Sequence, residues 1–190
     1  MPLPASFYAR PTLIVARELL GCRLIRRLET GEQLTGIITE TEAYIGEEDL
    51  ACHARAGLTP RTRVMYGPPG RAYVYFTYGM HWLLNIVTEP EGFPAAVLIR
   101  ALEVETGLEQ VRANRPGIPT QRLTDGPAKL TRAFAIAGHH NNLDLTVIEN
   151  GLWLEPGREI PDSRVTIGPR VGLYTVPEPW KSMPWRFRVQ

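Results

Sequence analysis

The sequence predicts a single α+β domain, residues 1–190, built around a curved, mostly antiparallel sheet from which one β-hairpin protrudes. A chain of 190 residues suits one domain with a sizeable core. Helical and β-rich patterns do not alternate regularly, which argues against a doubly wound parallel sheet. Two β-rich runs, "RAYVYFTY" and "HWLLNIV", are separated only by Gly79 and Met80, which indicates a hairpin.

The first half of the chain begins with a helix and continues into strands. "RPTLIVARELLG" has Pro11 in its first turn and Gly21 as a stop, which predicts a helix with an apolar stripe formed by Leu13, Ala16, Leu19 and Leu20. "CRLIRRL" and "QLTGIITETEAY" are predicted to pair around the turn "ETGE". The segment "HARAGLTPRTRVMYGPPG" has no periodicity and is predicted to be a loop.

The second half repeats this mixture. After the hairpin, "AAVLIRALE" is predicted to be a strand, and "TGLEQVRANR" and "GPAKLTRAFAIAG" are predicted to be helices. Asp125 is the expected N-cap of the second of these helices, with Pro127 near its first turn. The remaining β-rich runs are "LTVIE", "LWLE", "RVTIG" and "WRFRV".

The composition is that of an ordinary soluble protein, with 44% apolar and 22% charged residues. No apolar run reaches the roughly 18–20 residues of a membrane helix. "MPLPASFYAR" lacks the apolar centre of a signal peptide, so we expect a cytoplasmic or nucleoid-associated protein. Cys22 and Cys52 show no metal-ligand spacing and are expected to be reduced thiols. We therefore expect neither a metal nor a cofactor.

Charge is distributed unevenly, although the net charge is only +1. Between Leu50 and Thr88 there is no Asp or Glu, whereas this stretch contains Arg55, Arg61, Arg63 and Arg71. Arginine suits bidentate contacts to phosphate, and a local positive region is what a polyanion requires. The pattern is compatible with nucleic-acid binding without establishing it.

The stretch "TETEAYIGEEDLACH" places Glu40, Glu42 and Tyr44 on one face of a strand, because strand side chains alternate with period two. These residues could simply form the solvated face of an edge strand. Alternatively, the face could carry a catalytic carboxylate, with His53 following after the acidic loop.

The strand of the hairpin has Tyr73 and Tyr75 on one face, and Tyr78 lies where the chain turns. Strand tyrosines are commonly half-buried packing residues. A ring at a hairpin tip is poorly placed for packing in a core, however. Near arginines it suits insertion between base steps.

Together, "ETEAYIG", "TPRTRVMY", "YVYFTYGMHWLLN", "DGPAKL" and "GPRVGL" resemble the alkyladenine (3-methyladenine) DNA glycosylases of the mammalian type, which differ from the helix-hairpin-helix glycosylases. The motifs occur in the family's order from about Phe7 to the last strand. The resemblance implies a metal-free enzyme, expected to be monomeric, that extrudes alkylated purines from duplex DNA and hydrolyses the glycosidic bond. It implies 3-methyladenine as the main substrate, with hypoxanthine and ethenoadenine as further ones.

The resemblance also assigns roles to individual residues. Glu42 would be the general base, with Glu40 a competitor that only the family pattern disfavours, and Arg100 would position the water and bind phosphate. The remaining assignments are a base pocket of Tyr44, His53, Tyr75 and Asn85, an intercalating Tyr78, and DNA-backbone contacts from Arg55, Arg61, Arg63 and Lys129. For Asn85 the implied role is exclusion of the 2-amino group of guanine. Without the resemblance, a structural or surface role would be the preferred interpretation of His53 and Arg100, and Asn85 could be a satisfied core amide.

Two rival functions remain open at this point. A non-catalytic nucleic-acid-binding module would use the arginines and the hairpin without releasing a base. A hydrolase of free nucleosides would need neither Tyr78 nor the arginines. Lys129 and Lys181 are the only lysines, and both lie outside the implied pocket, so we expect no Schiff-base chemistry on the sugar. An enzyme that leaves an abasic site intact is therefore predicted.

Overall fold

One long strand organises the sheet in the computed structural model, which describes residues 1–190. The eight strands are β1 (Arg23–Arg27), β2 (Gln33–Ile45), β3 (Ala72–Thr77), β4 (His81–Val87), β5 (Ala95–Thr106), β6 (Leu152–Glu155), β7 (Val165–Gly168) and β8 (Arg186–Val189). They form one sheet in the order β3-β4-β5-β2-β1-β6, with β8 paired to β2 and β7 paired to β8. Every pairing is antiparallel, which confirms the predicted α+β class.

The helices are short. They are α1 (Ala5–Tyr8), α2 (Thr12–Glu18), α3 (Leu108–Asn114) and α4 (Pro127–Ala133). Six 3₁₀ segments occupy His53–Ala56, Arg63–Tyr66, Thr120–Arg122, Gly138–His140, Ile148–Asn150 and Asp162–Arg164. None of the helices combines the length and apolarity that crossing a bilayer requires.

Helix α2 is shorter than the segment predicted for it. It follows Pro11 directly and ends at Glu18, and the chain turns at Gly21, whose φ is +89°. A Cβ at Gly21 would collide with the backbone carbonyl of Arg158, so this position requires glycine for space as well as for conformation.

Two local predictions were wrong. "LTVIE" is not a strand: its residues form a turn and the segment Ile148–Asn150, because the carboxylate of Asp144 accepts from the backbone and hydroxyl of Thr146 and holds a turn. Asp125 is not the N-cap of α4. Gly126 holds that position, and the Asp125 carboxylate instead accepts from Lys129. Pro127 is the first residue of the helix, as expected.

The hairpin of β3 and β4 pairs Tyr73 with Asn85 and Thr77 with His81. Tyr78 and Gly79 both have positive φ, 52° and 68°, which closes the tip tightly. The tip itself is exposed, and the Tyr78 side chain is 87% accessible. The predicted protruding hairpin is confirmed.

The two faces of the sheet carry different packing. One face packs against the helices in a core of 29 buried residues. The other face carries a cluster of six buried residues that includes Cys52, Met65 and Tyr73, with Tyr44 and Tyr75 packed against it. This second, smaller cluster forms the floor on which the candidate site is built.

Candidate active site

Two β-bulges set the orientation of the candidate catalytic residues. Thr39 of β2 and Arg100 of β5 are each skipped in the pairing, since Ile38 pairs with Leu102, Glu40 with Ala101 and Thr41 with Ile99. Because each bulge shifts the alternation by one residue, the side chains of both strands exchange faces at this point.

The exchange is visible on both strands. Ile38 and Leu102 belong to the main core before the bulges, and Ala43 and Val97 belong to it after them. Glu42 and the residues two positions away from it therefore turn to the opposite face, where the cavity lies. Sequence alternation alone placed Glu40, Glu42 and Tyr44 together, and this prediction is confirmed; the bulges that aim them could not be predicted.

Glu42 is fully buried, and its carboxylate makes two hydrogen bonds and one ion pair. The Tyr44 hydroxyl donates to Oε2 over 2.9 Å, and the Arg100 guanidinium approaches the same oxygen at 3.2 Å. The backbone N–H of Val171 donates to Oε1 over 2.7 Å. Arg100 also donates to Glu40 over 2.9 Å, so one guanidinium ties the two carboxylates together.

Burial and neighbouring groups have opposite effects on the pKa values of Glu42 and Arg100. Burial is the largest effect and leaves the pKa of Glu42 raised, although Arg100, the Val171 N–H and the Tyr44 hydroxyl each lower it. Burial likewise lowers the pKa of Arg100, but the carboxylates of Glu42 and Glu40 outweigh it and the net pKa is raised. Removing any one of these three partners should therefore raise the pKa of Glu42 further.

A cavity of about 410 Å³ opens beside this group. Among the residues that line it are the four predicted pocket residues together with Arg100 and Tyr78: Tyr44, His53, Tyr75, Asn85, Arg100 and Tyr78. Glu42 does not itself line the cavity, but its two side-chain partners do. The structure thus brings together the residues that the sequence had scattered over almost sixty positions.

His53 is held by aromatic neighbours. Its Nδ1 lies 2.9 Å from the hydroxyl of Tyr73, and its ring meets that of Tyr75 edge to face at a centroid distance of 4.5 Å. Burial, followed by the charges of Arg61 and Arg55, lowers the pKa of His53 to about 4. The imidazole is therefore neutral near pH 7, a state suited to packing against a base or sharing a hydrogen bond with it. Tyr73 was not among the predicted pocket residues.

Asn85 lies opposite Tyr73 in the hairpin and is buried. Its Nδ2 donates to the backbone carbonyl of Tyr73 over 3.1 Å. One bond of the amide is thus fixed within the protein, while the side chain still lines the cavity. This geometry accommodates both interpretations of Asn85, as a satisfied amide and as a pocket residue.

The predicted DNA-backbone residues are placed differently from one another. Arg55 and Arg63 are exposed on the two 3₁₀ segments beside the cavity. Arg61 is also exposed, but its guanidinium lies over the ring of Tyr75 at 5.1 Å. Lys129 is engaged by Asp125 over 2.8 Å.

A buried ion pair behind the cavity was missed from the sequence. The guanidinium of Arg170 binds Asp49 through two contacts of 2.5 and 2.9 Å, and both side chains are fully buried. "GPRVGL" had contributed only as part of a family pattern, and Asp49 was hidden in the otherwise exposed acidic run "GEEDL". Nothing in the local pattern distinguishes it from Glu47 or Glu48.

The chain is similar in sequence to known proteins over nearly its whole length. The family model described as "Methylpurine-DNA glycosylase (MPG)" matches residues 6–190. Proteins named "Putative 3-methyladenine DNA glycosylase" are similar over nearly the whole chain. The one from Myxococcus xanthus is 49% identical over 188 residues, covering 99% of this chain and 90% of its own length.

Two further relatives carry the same name. The protein from Salinibacter ruber is 46% identical over 182 residues, covering 90% of this chain and 87% of its own length. The one from Carboxydothermus hydrogenoformans is 46% identical over 187 residues, covering 98% and 94%. With the match of the family model over residues 6–190, these similarities lead to one conclusion: the chain belongs to the methylpurine-DNA glycosylase family.

Proposed function

We propose that this protein removes 3-methyladenine and related alkylated purines from duplex DNA by hydrolysing the N-glycosidic bond, with Glu42 as the general base. Hypoxanthine and ethenoadenine are included as further substrates. The observation that carries the proposal is the buried carboxylate of Glu42, which is hydrogen-bonded to Tyr44 and ion-paired with Arg100, two residues of the cavity wall. In this proposal the mechanism is that of the mammalian-type members: the damaged nucleotide is extruded from the duplex, and a water activated by Glu42 hydrolyses the glycosidic bond.

The partners of Glu42 support its role as a base. A carboxylate offers about four acceptor positions, two on each oxygen. Tyr44 and Arg100 occupy Oε2, whereas Oε1 accepts only from the Val171 N–H. Oε1 therefore retains an acceptor position for the proton of an attacking water, and Arg100 would help to orient that water.

One carboxylate is sufficient for a charged leaving group. Inverting glycosidases use a second carboxyl group to protonate the departing oxygen. A purine alkylated at N3 or N7 is already cationic and departs neutral, so it needs no such acid. Hypoxanthine lacks this charge and would leave more slowly, since the neutral His53 is a weak proton donor.

The cavity and the hairpin supply base extrusion and selectivity in this proposal. Tyr44, His53 and Tyr75 would surround the extruded base, where electron-rich rings attract a cationic purine by about 0.5–2 kcal/mol. Tyr78 would fill the gap left in the duplex. Asn85 would obstruct the 2-amino group of guanine, and Arg55, Arg61, Arg63 and Lys129 would contact the DNA backbone.

The lysines support a monofunctional enzyme. Lys129 is paired with Asp125, and neither it nor Lys181 lines the cavity. The N-terminal amine is close to Glu155, at 3.2 Å. An amine placed to attack the sugar is thus missing from the cavity wall, and borohydride should trap no covalent adduct with DNA. The monomeric state and the cytoplasmic location remain predictions.

The decisive experiment measures base release from a 3-methyladenine duplex and from the free nucleoside, using wild type and Glu42→Gln. We expect release from the duplex alone. General-base catalysis contributes roughly 10²–10⁴ in rate, so Glu42→Gln should lose at least about 100-fold. Binding without release would identify a non-catalytic module, and release from the nucleoside would identify a nucleoside hydrolase.

A further inference from the structure

Arg170 connects two parts of the candidate site while touching neither the cavity nor Glu42. It follows β7 and precedes Val171, whose N–H donates to Glu42. Its guanidinium lies over the ring of Tyr44 at 4.7 Å and over that of Trp185 at 4.9 Å. The guanidinium therefore contacts two rings, and one of them is a wall of the cavity.

The hydrogen bonds of Arg170 fix its position from several directions. Besides Asp49, it donates to the carbonyl of Ala43 over 3.0 Å and to that of Trp180 over 3.2 Å. Ala43 lies on β2 between Glu42 and Tyr44, so the arginine is attached to the same strand as both. All four protons of its two terminal nitrogens have acceptors.

Asp49 is in turn locked in place. Its oxygens accept from the backbone N–H of Ile45 over 3.2 Å and of Ala51 over 3.0 Å. Two ionised groups without solvent exposure are costly to bury unless geometry and hydrogen bonding are nearly complete. This pair meets that condition, except that Nε of Arg170 has no partner.

We propose that Arg170, paired with Asp49, is a positioning residue that holds the Val171 N–H against Glu42 and supports the back of the Tyr44 ring. The proposal rests on the role of Glu42 as the base. Beyond the end of β7 at Gly168, Val171 and Gly172 are exposed and line the cavity, so the contacts of Arg170 are what anchor this part of the chain. The arginine thus fixes both the orientation of the carboxylate and the position of the Tyr44 ring that the extruded base meets.

The support of the Tyr44 ring depends on the Arg170–Asp49 pair having no net charge. An uncompensated cation behind Tyr44 would repel a cationic purine placed on the other face of the ring. Because Asp49 neutralises Arg170, the exposed face of Tyr44 keeps its attraction for positive charge. A neutral supporting residue would leave that attraction intact but could not make the four hydrogen bonds.

The test uses Arg170→Lys, because lysine keeps the charge but lacks the planar fork that stacks and binds two acceptors at once. The carboxyl carbon of Glu42 is followed by NMR in protein with ¹³C-labelled glutamate, assigned with Glu42→Gln. The charged groups around Glu42 are Glu40 on β2 and Arg100 on β5, with the hydroxyls of Tyr44 and Tyr75 beside it. Arg186 on β8 lies 3.8 Å from Glu40.

Loss of the Val171 hydrogen bond should raise the titration midpoint of Glu42 by about one pH unit. Excision in a single turnover should fall, with its acidic limb moving by the same amount. Arg17→Lys is the matched control: Arg17 pairs with Asp162 on the other side of the sheet and does not line the cavity. It should leave both midpoints unchanged.

An unchanged Glu42 midpoint in a folded Arg170→Lys variant would overturn the proposal. If that variant does not fold, Asp49→Asn and the wild type decide. In Asp49→Asn the Val171 amide should exchange hydrogen faster than in the wild type, because Arg170 loses the carboxylate that holds it in place; equal exchange in the two proteins would refute the link. Because NMR reads Glu42 directly, absence of base release by the wild type would reject the proposed function and still leave this inference decidable.

Discussion

Tyr44 donates its hydroxyl to Oε2 of Glu42 across 2.9 Å, so a wall of the cavity and the candidate base are joined by a single hydrogen bond. This bond lowers the pKa of Glu42 against the upward effect of burial. The same residue thus shapes the cavity and adjusts the acidity of the carboxylate beneath it. The two roles can be separated by removing the oxygen and keeping the ring.

Tyr44→Phe should move the acidic limb of excision to higher pH. The rate depends on ionised Glu42, so it falls as pH drops through the pKa of Glu42, and losing a donor to the carboxylate raises that pKa. A hydrogen bond to a charged group contributes about 1.5–3 kcal/mol, which corresponds to a shift of about one pH unit or more. Single-turnover rates between pH 4 and 9 measure it. Tyr75→Phe, which loses no bond to Glu42, should leave the limb in place; a shift equal to that of Tyr44→Phe would contradict the assignment.

Glu40→Gln should distinguish the two carboxylates of the strand. Glu40 raises the pKa of Glu42 through its negative charge, so its removal should move the acidic limb to lower pH, opposite to Tyr44→Phe. Most activity should remain at pH 7, because Arg100 still reaches Glu42. Parallel assays of Glu40→Gln and Glu42→Gln provide the comparison. If Glu40→Gln were the variant that lost about 100-fold, the assignment of the base would have to be reversed.

Tyr78→Ala should weaken binding to a lesion-bearing duplex without affecting the fold. Stacking of one aromatic ring on a base contributes about 1–3 kcal/mol, so affinity should fall by about 5- to 150-fold. Titration of a duplex containing an abasic analogue measures it, and the melting temperature should not change because the ring is exposed. Ile167→Ala is the control, because Ile167 is an exposed apolar residue on β7 that does not line the cavity. Equal losses in both variants would indicate nonspecific surface binding.

Asn85→Ala should relax the choice of base. The variant loses one buried hydrogen bond to Tyr73, at about 0.5–1.5 kcal/mol of unfolding free energy, and opens space in the cavity wall. Release of 7-methylguanine should therefore rise relative to release of 3-methyladenine. Competition between the two lesions in one reaction measures the ratio. A constant ratio would mean that Asn85 is only a structural amide.

The free energy of unfolding should decrease as the pH falls from about 6.5 toward 5. Burial is the main reason that the pKa values of His53 and His140 are each lowered to about 4, so the unfolded chain binds more protons than the folded one in this window. Stability is then lost as pH falls from the unfolded pKa toward the folded one. Urea unfolding at pH 7, 6 and 5 measures the slope, and His140→Gln should flatten it. An identical slope in the wild type and His140→Gln would show that His140 is not desolvated.

The sequence predicted correctly those features that local backbone geometry determines. Alternation placed Glu40, Glu42 and Tyr44 on one face, and the closely spaced runs around Gly79 predicted the hairpin. Both follow from local geometry. The failures arose where a neighbouring group competes for a side chain, as Lys129 does for Asp125 and Thr146 does for Asp144.

The parts of the site that could not be predicted depend on partners far along the chain. Asp49 and Arg170 are 121 residues apart, and each appears ordinary in its own segment. The bulge at Arg100 depends on the pairing of two strands, and neither strand encodes it alone. The family motifs located Arg100, but its simultaneous contact with Glu40 and Glu42 required the folded sheet.

Because of the paired bulges at Thr39 and Arg100, the number of residues in each strand determines which side chains face the cavity. Exchanging one side chain for another leaves the faces of β2 and β5 as they are. Removing a single residue between Ile38 and Glu42 would rotate the acid into the apolar interior and turn Thr41 outward. An insertion or deletion in this part of β2 should therefore be more damaging than a substitution.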